Sequence, residues 1–147
     1  MRDPAERGLS FVDTNVLVYA HDASEKEKGP LAQAILARLW QQRTGAISTQ
    51  VLQEFYNVAT RRFDPPMRRA EARNLVAAYG EWPVIGVDVA LIVAASQLEE
   101  RHTLSFWDAL IVEAARRAGA SRIVSEDLQA GRRFAGIQIV NPFQRKA

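Results

Sequence analysis

Short apolar runs alternate with longer stretches of helical periodicity along the chain, and this alternation narrows the folds open to it. The run LSFV, Leu9 to Val12, is too short for a helix and reads as a buried strand. TNVLVYAHD continues as a helical turn or two. In LAQAILARLWQQ, Leu31, Ala34, Ile35 and Leu39 recur at helical spacing, with Gly29-Pro30 marking a start or a kink. GAIS is strand-like again, and TQVLQEFYNVATRRF is helical, with Val51, Phe55, Val58 and Ala59 on one face. Pro65-Pro66 opens a further helix, MRRAEARNLVAAYG, which Gly80 closes. PVIGV is strand-like, Asp88 begins the helix VALIVAASQLEERH, and Ser105 begins FWDALIVEAARRAG, stopped at Gly119. SRIVS is a strand, EDLQAGRRFAG a short turn or helix, and IQIV the last strand. Strands separated by helices predict an α/β domain of three layers, a central, mostly parallel sheet flanked by helices.

The totals agree with one such domain. A chain of 147 residues can bury a real core, and 48% hydrophobic with 24% charged residues is ordinary globular composition. Residues 1–8 read as an extension and 142–147 as a tail. Without cysteine there is no disulfide, thiolate nucleophile or thiolate metal site. The start MRDPAERG has no apolar signal core, and no apolar stretch approaches the roughly 20 residues of a membrane span. The expectation is a soluble, cytoplasmic protein with no membrane partner. A net charge of +2 permits a nucleic-acid partner without requiring one.

Ligands of parallel α/β sheets bind at the edge where the strands end and the next helices begin. Four acids map to that edge. Asp13 follows LSFV, Glu54 lies in the second turn after GAIS, Asp108 in the first turn of FWDALIV, and Asp127 just after RIVS. Taken singly, Asp13 and Asp127 read as N-caps, and Ser105 with Asp108 as a capping box. Glu54 is too deep in its helix to cap it and falls within an apolar stripe, as does Asp108 beside Leu104, Ile111 and Val112. Buried carboxylates need a cation, a proton or hydrogen bonds. No lysine adjoins any of the four in sequence, and His21 and His102 have no metal-ligand spacing to them. A hard divalent cation, Mg²⁺ or Mn²⁺, is the economical partner. Thr14, Asn15 and Ser125 can orient the carboxylates or equally make local turn bonds. Asp88 is a simple N-cap, and Asp22, Asp64, Glu71, Glu81 and Glu113 read as solvated.

At FVDTNVLVYA, QVLQEFYNVA, SFWDALIVEAA and SEDLQAG the chain resembles the PIN-domain ribonucleases, most of all the VapC-type toxins of bacterial toxin–antitoxin pairs. The match runs from Leu9 to Asn141 with its motifs in family order. The resemblance implies one PIN-like domain and a Mg²⁺- or Mn²⁺-dependent endoribonuclease, whose four acids fall on Asp13, Glu54, Asp108 and Asp127. It also implies a homodimer, an RNA substrate, and inhibition by a small cognate antitoxin. Phosphodiester hydrolysis by one or two ions would follow, with Asp13 and Asp108 as direct ligands.

Other readings stay open. A haloacid-dehalogenase-type phosphatase wants a second acid where Asn15 stands and has no use for Glu54. A structure-specific DNA nuclease usually needs a longer chain, and a housekeeping RNA-processing nuclease would carry the same acids. A catalytically silent RNA- or protein-binding module would not need the tetrad. Among the arginines, Arg116-Arg117 fall at the edge opposite the acids, whereas Arg61-Arg62, Arg68-Arg69 and Arg132-Arg133 read as solvated surface or backbone contacts. Phe106 or Trp107 can stack on bases, with core packing expected for at least one.

Overall fold

The computed structural model describes residues 8–144. Most of the expected N-terminal extension, and the end of the tail, lie outside them. The chain forms β1 (Leu9–Val12), α1 (Thr14–His21), α2 (Lys28–Gln42), β2 (Gly45–Ser48), α3 (Thr49–Arg61) and α4 (Arg69–Tyr79). It continues through β3 (Val84–Ile85), α5 (Val89–His102), α6 (Phe106–Arg117), β4 (Ala120–Val124), β5 (Arg133–Phe134) and β6 (Ile137–Val140).

The six strands make one sheet in the order β3-β2-β1-β4-β6-β5. All neighbours are parallel except the β5–β6 pair. Parallel strands covered on both sides lose the polar alternation of half-exposed ones. Accordingly Phe11, Val12, Ala46, Ile47 and Ile123 are all fully buried, and so is Ser48. The helices pack as two groups, α1 with α2 and α3, and α5 with α6.

The order places β1 and β4 side by side although most of the chain separates them. From β1 the chain steps outward through β2 to β3, then returns to the other side of β1 to lay down β4. The connections therefore leave the sheet in opposite directions past the ends of β1 and β4, which opens a crevice there. Val12 pairs with Val124, so the residues next in line, Asp13 and Ser125, emerge together. Their backbones extend the ladder, with Asp13 N–H donating to Val124 C=O at 3.0 Å and Ser125 N–H to Val140 C=O at 3.0 Å.

Several local expectations change. Gly29-Pro30 lies in the first turn of α2 and marks its start, where proline is tolerated. The buried stripe of α2 is Gly29, Ala32, Leu36 and Leu39, while Leu31 and Ala34 are exposed; two apolar stripes at helical spacing compete there, and contact with the sheet selects one. The helix after Pro65-Pro66 begins only at Arg69. No helix forms between Glu126 and Arg132, and Arg133-Phe134 instead pairs antiparallel with β6. Glu113 is 1% exposed rather than solvated. Arg116 grips it through Nε at 2.9 Å and Nη2 at 2.6 Å, and Arg117 Nε adds a bond at 3.4 Å. The two guanidiniums pair with that buried carboxylate.

Candidate active site

Asp13 is the only one of the four acids that is buried, at 6% exposed. Its Oδ1 accepts from the Thr14 backbone N–H at 2.8 Å, so it does cap α1. Its Oδ2 accepts from Ser125 Oγ at 2.7 Å, a bond no helix cap requires. Burial, opposed by those two hydrogen bonds and reinforced by the negative charges of Asp127 and Glu54, pushes its carboxyl up to about 6.

Ser125 organises the opposite wall. Fully buried, its hydroxyl oxygen accepts from the backbone N–H of Asp127 at 3.1 Å and of Leu128 at 3.4 Å while it donates to Asp13. Asn15, one residue into α1, reaches across. Its Oδ1 accepts from Glu126 N–H at 3.2 Å, and its Nδ2 donates to Asp127 Oδ2 at 3.0 Å. With no helix after it, Asp127 caps nothing and stands exposed at the crevice.

Glu54 departs from the expectation that it is buried. It is exposed, on the margin of the stripe made by Val51, Phe55 and Ala59. Thr14 Oγ1 donates to its Oε2 at 2.7 Å, and Gln50 Nε2 to its Oε1 at 3.1 Å. Asp13, Thr14, Asn15, Glu54, Ser125 and Asp127 thus form one connected network. Asp108, half-buried in the first turn of α6, makes no hydrogen bond to the other acids among the described residues. Its backbone N–H donates to Ser105 Oγ at 3.1 Å, half of the expected capping box. Electrostatics still couples it to the group. Burial chiefly, and the charges of Asp127 and Glu54, raise its pKa against the lowering effect of Ser105. Asp13 and Asp108 thus both lie within reach of the charges of Asp127 and Glu54.

Oxygen-only donors and mutual repulsion suit a hard divalent cation. The side chains do not form a finished cage, since among the described residues no three acidic or histidine groups stand in a cation-holding arrangement. Glu54 and Asp127 are exposed, and a change of rotamer in either would give up its bond to Thr14 or Asn15.

Two features were not anticipated from sequence. Gln50, 8% exposed, steadies Glu54 from one helical turn away, a spacing visible in the sequence, and its Oε1 is buried with no partner among the described residues. Lys28 Nζ bonds Glu126 Oε1 at 2.7 Å and sits 5.0 Å over the Tyr19 ring, fastening the segment that carries Asp127 to the start of α2. No sequence spacing signals a pair so far apart in the chain.

A sheet with this order, carrying acids beside β1 and β4, defines a class of α/β nuclease folds. The PIN domain family matches residues 10–135, and the chain belongs to that family. Among solved structures it is similar to the VapC20 toxin of Mycobacterium tuberculosis, described as cleaving the sarcin–ricin loop. That likeness has 25% identity and a TM-score of 0.61, over 78% of this chain and 86% of that one. A toxin–antitoxin complex from Klebsiella pneumoniae matches at 19% identity and TM-score 0.65, over 92% and 99% of the two chains. VapBC2 of Rickettsia felis, bound to promoter DNA, matches at 18% identity and TM-score 0.60, over 89% and 96%. No curated protein matches the chain.

Proposed function

We propose that the protein is a divalent-metal-dependent endoribonuclease and the toxin of a toxin–antitoxin pair. The observation that carries this reading is the buried carboxyl of Asp13, set at the paired ends of β1 and β4 and held in the field of Glu54 and Asp127. An isolated cap would need none of that surrounding charge. The likeness to an RNA-cleaving toxin of Mycobacterium tuberculosis supports RNA as substrate, and the toxin–antitoxin complexes support a small antitoxin as partner. In this reading the protein works in the cytoplasm and, as the resemblance implies, as a homodimer.

Asp13 and Asp108 would hold Mg²⁺ or Mn²⁺, with Glu54 and Asp127 ligating directly or through water. The ion, when bound, polarises the scissile phosphate, makes a water more acidic and stabilises the leaving oxygen. Ser125, Thr14 and Asn15 fix the carboxylates that would otherwise repel one another. The N-termini of α1, α3 and α6 open on the same edge, and their dipoles favour an incoming phosphate.

The absence of a finished cage among the described residues favours a second reading, a silent RNA- or protein-binding module. One assay separates the two. The purified chain, incubated with RNA, is expected to cut it with Mg²⁺ or Mn²⁺ and not with EDTA. Asp13→Asn and Asp108→Asn are each expected to lose at least about 100-fold in rate while keeping the fold. Cleavage unchanged in both variants, or no cleavage by the native chain, would overturn the ribonuclease reading and favour the binding module.

A further inference from the structure

A groove of about 600 Å³ runs between α3 and α4. We infer that it is a subsite for single-stranded RNA, holding nucleotides next to the scissile phosphate; the inference rests on the ribonuclease reading above.

Its position comes from helix geometry. Gln50, Glu54, Asn57 and Arg61 recur at i, i+4, i+7 and i+11, so they share one face of α3. Asn57 and Arg61 also line the groove. A strand whose phosphate lies at Glu54 therefore passes Asn57 and reaches Arg61 without leaving the helix.

Its chemistry fits a nucleic acid. Leu52 and Val76 supply apolar surface, and Tyr56, half-buried, gives a ring on which a base can stack. The amides of Gln53 and Asn57 each offer a donor and an acceptor to base edges. Arg61 and Arg73 also line it, both exposed, and neither makes an ion pair among the described residues. Among the described residues no acid lines the groove. The two acids of the neighbouring segment, Asp64 and Glu71, line a different depression beside His21. Arg62, exposed and likewise without an ion pair among the described residues, adds a positive charge next to Arg61 in the chain. An acidic peptide would account for the arginines but not for paired amides beside an aromatic ring.

Steady-state cleavage of a fluorescein-labelled single-stranded RNA in Mg²⁺ tests this. Arg61→Ala with Arg73→Ala, and Tyr56→Ala separately, are expected to raise KM roughly tenfold with kcat little changed. The double variant should flatten the salt dependence of kcat/KM by a slope of about 1.4, two phosphate contacts' worth for a single strand. Arg38→Ala with Arg101→Ala, equal in charge change and away from the groove, should change neither. A native chain that cuts RNA while the groove variants keep its KM overturns the subsite and spares the ribonuclease reading. A native chain that cuts no RNA overturns both. Light scattering covers the other occupants. A KM rise accompanied by halved mass assigns the groove to a second copy of the chain. Unchanged KM with lost binding of a labelled oligoglutamate assigns it to an acidic peptide. Either result overturns the inference.

Discussion

Asp13 does two jobs with two oxygens, capping α1 through Oδ1 and taking the Ser125 hydroxyl through Oδ2. Its raised pKa has a consequence for stability. Folding favours its protonated form, so that contribution is fully present below pH 3.8 and is lost as pH rises through about 6. A shift of that size corresponds to about 3 kcal/mol. In metal-free protein, Asp13→Asn should therefore be more stable than the native chain at neutral pH by up to about 3 kcal/mol, and nearly equal to it near pH 4. Urea unfolding at the two pH values checks this, and a difference that does not vary with pH would contradict it. Ser125→Ala removes one donor from Asp13 and the acceptor of two backbone N–H groups. It should cost about 2–3 kcal/mol and lower the cleavage rate as Asp127 loosens.

Among the helices, cap and site compete for the same residue types at the same positions. Ser105 caps α6 through the Asp108 N–H, and Asp88 caps α5 through the Leu91 N–H at 2.8 Å. Asp88 stops there, pairing with Arg117 at 3.2 Å, far from the crevice in chemistry if not in residue type. Ser105→Ala should cost about 1 kcal/mol, and its effect on cleavage reports how far the cap also sets the Asp108 carboxylate. At the other end of α6, Glu113 has its pKa lowered, chiefly by Arg116. Glu113→Gln should destabilise by about 2 kcal/mol at neutral pH and progressively less as pH falls through the lowered pKa, measurable as a converging Tm. The turn Ala135-Gly136 between β5 and β6 has positive φ at both residues, 52° and 81°. That is the hairpin signature, but alanine in place of asparagine or aspartate at its first position hides it in the sequence.

Over the whole molecule, the return of the chain from β3 lays β4 beside β1 and so brings the segment of Ser125 and Asp127 to Asp13. Metal should thus act as a staple across that crevice. At about 100 times its Kd, Mg²⁺ should stabilise the protein by about 2.7 kcal/mol, seen as a Tm rise of several degrees that Asp108→Asn abolishes. An exposed apolar stripe on α5, Val89, Ile92 and Val93, suits self-association. Ile92→Glu should halve the mass of a dimer in light scattering if that face joins the copies, and remove the dependence of Tm on protein concentration.

Local pattern was enough to place β1, β2 and β6 and the caps Asp88 and Ser105, because short apolar runs and helix starts are written in neighbouring residues. Contacts between remote segments decided the rest. The sheet order set which stripe of α2 turned inward, the guanidiniums of Arg116 and Arg117 closed over Glu113, and Lys28 met Glu126 across the fold. Of the four carboxylates, packing buried Asp13, half-covered Asp108, and left Glu54 and Asp127 in solvent. Burial depends on what a side chain packs against in three dimensions, and periodicity along one helix does not carry that information.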